Sequence, residues 1–445
     1  MKRGKTYIIT SAQACSKVNN DFLISLQTYC KYKNAELLIL PMQGKHITEE
    51  TLHPTLDDYQ IIDSDYKLND KIWIKDYKVK PQAIRPLTGL EALVKGDKST
   101  IIAGTKINLR AVPNSNTRMA KILMTTGAIT EPNYNLNHRV GRIAKADHEY
   151  GAIIVEIVNN KTYHCRYIQA QNNGKFFDLG SLYDGAEIAK KKKSIALVLG
   201  DLHAGEHDPK AFQGSLDMIK ELRPEHIFLH DVFDGSSISH HNINDLVEKH
   251  YYHKQHGLSI ENELKTTADV ISKILKVMPK SSKLYCVASN HNEVIDKYLR
   301  SGRFVNEPHN IDISCDLLKE TLRGGNPLKL GLSYYMKIPN NFIFLERNDD
   351  LRIRGYYMSE HGDKGANGSR GNPNMYSNTL EKSITGHGHS PFKHRNTLKV
   401  GTNSKLQLRY NQGGTSNWMH TNCVLYEGGK TQLLHMVEGK YKRGN

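Results

Sequence analysis

The stretch Ser194–His203, SIALVLGDLH, decides the fold that this sequence predicts. Its residues from Ile195 to Leu199 form a continuous apolar run, which is typical of a strand buried on both faces of a sheet. Asp201 and His203 follow the strand, and both side chains are common metal ligands. The stretch therefore indicates an α/β protein with a candidate metal site at the edge of a sheet.

Four later segments repeat this arrangement of a strand followed by a potential ligand: HIFLHDVFD, KLYCVASNH, YYMSEHG and SITGHGH. The carboxyl ends of neighbouring strands meet at one edge of a sheet, so these side chains are expected to converge. Two acids, one amide and four histidines can enclose two divalent cations, which activate water for attack on phosphorus. The predicted ligands are Asp201, His203, Asp231, Asn290, His361, His387 and His389.

The sequence between these segments predicts helices. Asp208 and Pro209 are typical of a helix start, and apolar residues recur after them at helical spacing. The basic run ahead of Ser194 is typical of a linker. We therefore expect a catalytic domain over residues 191–445 and an N-terminal accessory domain over residues 1–190. The pattern of the N-terminal domain predicts an α/β or β-rich fold, and its sequence shows no internal repeat.

Composition narrows the class of protein. The 445 residues are 38% hydrophobic, and no stretch approaches the ~20 apolar residues of a membrane-spanning helix. The N-terminus lacks a secretory cleavage pattern, and the six cysteines form no CxxC pair, so a cytoplasmic protein is expected. The net charge of +15 favours a polyanionic partner such as DNA, although a merely basic surface is a common alternative.

The ordered motifs carry a resemblance to a known family. The signature of calcineurin-like metallophosphoesterases is Asp-x-His, Gly-Asp-x-x-Asp, Gly-Asn-His-Glu/Asp, His and Gly-His-x-His, in this order. The chain resembles this family over residues 194–430. The resemblance implies an αβ-sandwich of two sheets flanked by helices. The chain departs from the signature at three positions: His230 stands in place of a glycine, and Ser289 and Asn292 stand in place of a glycine and an acid.

The resemblance also implies roles for the ligands. Asp201, His203 and His389 would hold one metal, Asp231 would bridge, and the second metal would be held by Asn290, His361 and His387. His291 would act as the catalytic acid or charge stabiliser. The ligand set suits two divalent cations, and the similarity to SbcD-type DNA nucleases favours Mn²⁺ over Mg²⁺, Fe or Zn²⁺.

Further residues have a functional and a structural interpretation. Asp234 could orient a metal ligand or cap a helix, and Glu293 could orient His291 or simply start a helix. Lys364 and Arg370, in a glycine-rich loop, could contact phosphate or belong to a mobile lid without substrate contact. Arg118 and Arg139 could bind a DNA strand, although scattered surface arginines are common.

The expected function is that of a metal-dependent phosphodiesterase, and a DNA nuclease with weak sequence specificity is favoured. A phosphomonoesterase or cyclic-nucleotide phosphodiesterase could use the same metals, and an inactive scaffold is the third alternative. The N-terminal organisation and the Lys, Asn and Tyr content resemble phage-encoded metallophosphoesterases, including early DNases of T5-like phages, which would place the protein in the host cytoplasm. A homo-oligomer remains open.

Overall fold

The structure, a computed structural model, describes residues 4–44, 50–115, 119–189, 193–240, 245–378 and 381–444. We call residues 4–189 the N-terminal part and residues 193–444 the C-terminal part. The helices are α1 Asn20–Lys33, α2 Arg139–Ala146, α3 Pro209–Leu222, α4 Leu246–His256, α5 Ile260–Val277, α6 Val294–Ser301, α7 Ile311–Leu322, α8 Pro327–Ser333 and α9 Pro373–Asn378.

The strands of the N-terminal part are β1 Thr6–Gln13, β2 Ala35–Met42, β3 Gln60–Ile61, β4 Tyr66–Lys67, β5 Ile72–Ile74, β6 Ser99–Ile102, β7 Leu109–Val112, β8 Asn114–Ser115, β9 Lys121–Thr125, β10 Gly151–Ile157, β11 Tyr163–Gln169, β12 Phe176–Asp178, β13 Ser181–Asp184 and β14 Glu187–Ala189. Those of the C-terminal part are β15 Ala196–Val198, β16 His226–Leu229, β17 Lys283–Cys286, β18 Phe342–Phe344, β19 Arg352–Ile353, β20 Tyr356–Tyr357, β21 Lys382–Thr385, β22 Phe392–His394, β23 Thr397–Lys399, β24 Thr415–Ser416, β25 Thr421–Leu425 and β26 Thr431–His435.

The strand in the opening motif, β15, lies inside a six-stranded sheet with the order β18-β17-β16-β15-β25-β26. Strands β15 to β18 are parallel, and β25 runs antiparallel to β15. Successive side chains of β15 face opposite layers: Leu197 packs among residues of α3 and α5, whereas Val198 packs toward a second sheet. Burial on both faces explains why this strand is apolar throughout.

The second sheet has ten strands in the order β19-β20-β21-β23-β22-β7-β9-β6-β5-β4. Its first five strands come from the C-terminal part and its last five from the N-terminal part. They join at the antiparallel pair β7–β22, where Arg110 lies opposite Phe392 and Leu109 opposite Lys393. The division of the chain at residue 190 stays a prediction, and the hydrogen bonds of one sheet cross it.

A five-stranded sheet, β11-β10-β1-β2-β3, completes the N-terminal part. Strands β1, β2 and β3 are parallel, β10 is antiparallel to β1, and β11 is antiparallel to β10. The mixed α/β class predicted from the sequence is therefore confirmed for both parts of the chain.

The two parts repeat one topology. The order β11-β10-β1-β2-β3 corresponds, strand by strand and direction by direction, to β26-β25-β15-β16-β17. In the ten-stranded sheet, β4, β5, β6, β9 and β7 mirror β19, β20, β21, β23 and β22 about the central pair. The chain therefore has an approximate two-fold symmetry that its sequence did not reveal.

Candidate metal centre

The predicted ligands follow strands that meet at one edge of the C-terminal part. Asp201 comes after β15, Asp231 after β16, His361 after β20, and His387 and His389 after β21. The backbone amide of His387 donates a hydrogen bond to Asp201 Oδ1 at 3.1 Å, which ties the first and last of these loops together. The segments were expected to meet at the edge of one sheet, but β15 and β16 belong to the six-stranded sheet and β20 and β21 to the ten-stranded sheet, so the loops of two packed sheets meet here.

One cluster contains Asp201, His203, Asp231 and His389, all of them buried. His389 Nε2 lies 3.2 Å from Asp201 Oδ2 and 3.1 Å from His203 Nε2. His203 Nε2 lies 3.8 Å from Asp231 Oδ2. One potential ligand atom from each of the four residues lies within 4.8 Å of the others, which is close enough for a single cation to be held by all of them.

A second cluster contains Asp231, His361 and His387. His361 Nε2 lies 3.1 Å from Asp231 Oδ2, and the rings of His361 and His387 are 5.3 Å apart between centroids. Asp231 belongs to both clusters, so its carboxylate stands between two potential cation sites. Asn290 follows β17, and its Oδ1 is buried without a hydrogen-bond partner among the described residues.

The donor set fits divalent cations. Asp231 Oδ1 is buried and has no hydrogen-bond partner among the described residues, and such an atom is costly unless something binds it. Burial opposes protonation of His203, but the hydrogen bond to Asp234 and the nearby carboxylates raise its pKa to about 9. These carboxylates attract positive charge, and a divalent cation would supply it in place of a proton.

The backbone is strained where the ligands lie. His203, Asp231, His387 and His389 have φ angles of 46°, 42°, 69° and 53°. Residues other than glycine rarely adopt this left-handed region of φ. Where they do, the surrounding structure holds them there, and such residues cluster at functional sites. Four of the seven predicted ligands therefore share a conformation that packing alone does not favour.

His291 lies beside the first cluster. Its ring centroid is 4.4 Å from that of His203, with the rings nearly perpendicular. Its Nδ1 lies 2.8 Å from the backbone carbonyl oxygen of Asp234. Because a carbonyl oxygen can only accept, Nδ1 carries the hydrogen, and Nε2 is the nitrogen left for chemistry.

Asp234 lies against a metal-ligand candidate. His203 Nδ1 donates to Asp234 Oδ1 at 2.9 Å. Burial opposes ionisation of Asp234, yet its hydrogen bond with His203 lowers its pKa to about 2. A carboxylate that accepts from Nδ1 directs Nε2 of the same ring toward the cluster, which is how carboxylates orient metal-binding histidines.

Glu293 lies at the start of α6, which is the structural interpretation given to it above. Its carboxylate accepts two hydrogen bonds from Arg347, at 2.5 and 3.0 Å, and not one from His291. The same guanidinium donates to both oxygens of Asp363, at 2.6 and 2.9 Å. Arg347 therefore clamps the loop that carries Asn290 and His291 to the loop that carries His361, because it reaches both carboxylates at once.

The departures from the family signature have contacts of their own. His230 is buried, with Nδ1 3.2 Å from His361 Nδ1, so it supports the ring of a predicted ligand. Burial lowers the pKa of His230 to about 4. Asn292 Oδ1 accepts from the Phe233 amide at 3.0 Å and links the loops after β16 and β17. The side chains of His230 and Asn292 thus support the loops that carry the predicted ligands.

The predicted substrate contacts lie on the surface. Lys364 and Arg370 are exposed and face each other across an isolated antiparallel bridge in the loop after His361. Arg139 is exposed at the first position of α2. Arg118 lies outside the described residues. The structure gives none of the three described residues a contact with the ligand clusters, so their role in substrate binding stays a prediction.

Three residues that the sequence did not indicate lie beside the centre. The half-buried ring of Trp418 lies 4.1 Å from that of His389, and Tyr410, 67% exposed, lies 5.7 Å from Trp418. Lys399 Nζ lies so close to Gly388 that a side chain at 388 would overlap it. Burial lowers the pKa of Lys399 to about 8, while the charge of Asp201 opposes that shift. Only the packing of distant segments brings these three residues to the centre, and no spacing in the sequence indicates it.

Comparison with known proteins gives one relative at low identity. The chain is 27% identical to Protein A1 of Escherichia phage T5 over 471 aligned residues, which cover 99% of this chain and 83% of that protein. No protein-family profile matches the chain. The similarity to a phage protein thus includes both parts of the chain. Among the described residues, no helix is long and apolar enough to cross a membrane.

Proposed function

We propose that this protein is a divalent-metal-dependent phosphodiesterase of the calcineurin-like type and that its substrate is DNA. A six-stranded sheet that packs against helices on one face and a second sheet on the other supports this fold type. The order of the ligand motifs along the chain supports it independently.

The observation that carries the proposal is the position of Asp231. It is buried, it belongs to both ligand clusters, and one of its oxygens lacks a hydrogen-bond partner among the described residues. A carboxylate between two groups of histidines is the arrangement that two adjacent cations require. Asp201, His203 and His389 would hold one cation, and Asn290, His361 and His387 the other.

Two divalent cations, when bound, lower the pKa of a water and offset negative charge on the phosphate. The chain supplies the remaining functions. His291 presents Nε2 beside the first cluster and would give a proton to the leaving oxygen or stabilise its charge. Asp234 fixes both His203 and His291, through its carboxylate and its carbonyl oxygen. Oxygen and imidazole donors suit Mn²⁺, the cation we propose, as well as Mg²⁺, Fe or Zn²⁺.

The surroundings of the centre favour a nucleic acid over a small phosphate ester. Tyr410 and Trp418 offer aromatic surface next to His389 on which a base can stack. Lys399 places a cation beside Gly388 in the Gly-His-Gly-His loop. The net charge of +15 adds long-range attraction for a polyanion.

A hydrolysis assay with four substrates tests the proposal. Purified protein would be incubated with circular duplex DNA, linear duplex DNA, single-stranded DNA and p-nitrophenyl phosphate, with Mn²⁺ or with EDTA. We expect DNA cleavage that requires the cation and is lost in Asp231→Asn. Hydrolysis of p-nitrophenyl phosphate without DNA cleavage would show a phosphomonoesterase. No hydrolysis of any substrate, with Mn²⁺ or with Mg²⁺, would contradict the proposal.

A further inference from the structure

The repeated topology allows residues of the two parts to be paired by their backbone hydrogen bonds. The Ser11 amide donates to Gly127 O and the Asp201 amide to Gly401 O, both at 3.2 Å. The Ser11 carbonyl accepts from the Ile129 amide at 2.8 Å, and the Asp201 carbonyl from the Asn403 amide at 2.7 Å. Ser11 therefore occupies in the N-terminal part the place of Asp201 in the C-terminal part.

The side chains at this pair of positions match as well. Ser11 Oγ accepts from the Gly104 amide at 3.0 Å, as Asp201 Oδ1 accepts from the His387 amide at 3.1 Å. Gly104 is thus the counterpart of His387. Two positions further along the chain, Gln13, the last residue of β1, corresponds to His203. Lys106 stands fourth after β6, as His389 stands fourth after β21.

The next strand gives the fifth pair. The Ala14 amide donates to Met42 O at 2.9 Å, and the Ala204 amide donates to Val232 O at 3.0 Å. Pro41 precedes Met42, and Asp231 precedes Val232. The counterpart of the carboxylate shared by the two clusters is therefore a proline, which has no metal-binding side chain.

The helices that follow β1 and β15 confirm the pairing. Both α1 and α3 have 14 residues and begin after a side chain that caps the helix, Asn19 or Asp208. Both end at a non-glycine residue in the left-handed conformation, Asn34 with φ 49° and Arg223 with φ 45°. The two helices therefore agree in length and in the kind of cap at each end, as corresponding units would.

At the paired positions, the ligands are replaced and the strain is absent. The N-terminal part lacks the predicted ligands at the corresponding positions. In place of Asp201, His203, Asp231, His387 and His389 it has Ser11, Gln13, Pro41, Gly104 and Lys106, respectively. His203, Asp231, His387 and His389 have positive φ, and none of their four counterparts does. A strained backbone persists where function demands it, so its loss here accompanies the loss of the ligands.

The counterpart of His389 is a buried lysine. Lys106 is 4% exposed, its Nζ has no hydrogen-bond partner among the described residues, and it lies 4.0 Å from Asp147 Oδ2. Ser11 and Gln13 are fully buried. A protonated lysine repels a divalent cation. Each group of potential metal ligands found among the described residues lies between residues 201 and 389.

We infer that the N-terminal part is an inert copy of the catalytic fold, which binds no divalent cation and serves as the intramolecular partner that completes the second sheet of the catalytic copy. Lys106 stands in place of the predicted ligand His389. The inference about the inert copy rests on the backbone pairing and stands apart from the proposed hydrolysis.

Calorimetric titration of the full chain with Mn²⁺ tests this inference. The variants are Asp231→Asn and Lys106→Met, with Ser11→Ala as a second probe of the N-terminal part if Lys106→Met does not fold. We expect Asp231→Asn to weaken Mn²⁺ binding by more than about tenfold, and the N-terminal variants to change the affinity by less than about twofold. The N-terminal variants should bind the same number of Mn²⁺ ions per chain as the unaltered chain.

Anomalous diffraction at the manganese edge, from crystals of the unaltered chain, locates the ions. We expect every peak to lie among Asp201, Asp231, His361 and His389. A peak beside Ser11 or Lys106, or a loss of bound ions in Ser11→Ala or Lys106→Met, would overturn the inference. Absence of Mn²⁺ from the whole chain would contradict the proposed function while agreeing with an inert N-terminal part.

Discussion

The N-terminal and C-terminal parts share a strand order and differ in the side chains at the ends of the strands. Where the C-terminal part has Asp201 and Asp231, the N-terminal part has Ser11 and Pro41. The backbone hydrogen bonds around Ser11 and Asp201 agree to within about 0.1 Å. Topology therefore fixes where a metal site can form, whereas a few side chains decide whether the ligands for it are present.

Matched substitutions at Asp231 and its counterpart Pro41 give the largest expected difference. Asp231→Asn removes the shared negative charge and should lower DNA cleavage by about 10³-fold or more, since charge stabilisation at a two-metal site contributes several kcal/mol. Pro41→Ala, at the equivalent position, should leave the rate within about twofold, because nothing at position 41 takes part in the chemistry. Initial rates on plasmid DNA measure both. Equal losses would break the distinction between the two parts.

Removal of the His291 ring comes next. His291→Ala should lower turnover by about 10²–10⁴-fold, the usual contribution of a positioned acid–base group, with the metal content unchanged. Metal analysis beside single-turnover kinetics separates the two effects. Loss of metal would instead make His291 a ligand or a structural residue and would move the catalytic group elsewhere.

The Arg347 clamp is a feature of the C-terminal part. Arg347→Ala leaves the carboxylates of Glu293 and Asp363 without their partner, so the loops that carry Asn290 and His361 should separate. We expect about 10–100-fold weaker binding of one of the two cations, as for other groups that position ligands. Titration with Mn²⁺ measures it.

Arg352→Ala is the matched control for that prediction. Arg352 pairs with Asp350 on the surface, and both side chains are exposed. Surface pairs contribute little, so the metal affinity should not change. If both arginine variants weaken Mn²⁺ binding equally, Arg347 acts on general stability and not on the centre.

The aromatic surface beside His389 should contribute to substrate binding. Tyr410→Ala should weaken binding of single-stranded DNA by about 1–3 kcal/mol, the usual contribution of stacking on one base, while Tyr410→Phe should retain it. Fluorescence anisotropy in the presence of Ca²⁺ measures the affinity. Equal effects of both variants would assign the role to the hydroxyl group instead of the ring.

The smallest expected effect concerns Arg139, on the surface of the N-terminal part. Arg139→Glu should weaken duplex binding modestly and reduce the salt slope of the affinity by about one if this arginine meets a phosphate. Cleavage of a small diester should not change. An unaltered salt slope would indicate that the N-terminal part does not contact DNA at this point.

The candidate ligands could be predicted from the sequence because they follow a local rule: an apolar strand ends, and a potential ligand residue follows it. Parallel strands of one sheet bring the ends of β15, β16 and β17 together, whereas the packing of the second sheet brings in the ends of β20 and β21. The strands β15, β16, β17, β20 and β21 lie where the pattern predicted them. Helix α3 likewise begins at Pro209 after the cap Asp208.

The residues around the ligands could not be read in the same way. Arg347 contacts Glu293 from 54 positions away, and Trp418 reaches His389 from a separate loop. No periodicity links such pairs, because only the packing of whole layers sets their separation. Of the two interpretations of Glu293, the structure shows the helix start, and its carboxylate pairs with an arginine from another loop instead of with His291.

Hydrophobic periodicity and residue type are local properties of the chain, and they were enough to predict the α/β class, the strand ends and the candidate ligands. Long-range packing, which no local pattern encodes, makes Asp231 common to two clusters, lets Arg347 join two loops, and gives the N-terminal part the topology of the C-terminal part. Backbone hydrogen bonding preserves a topology after its side chains have changed, so a repeat can persist in the fold when nothing in the residues marks it.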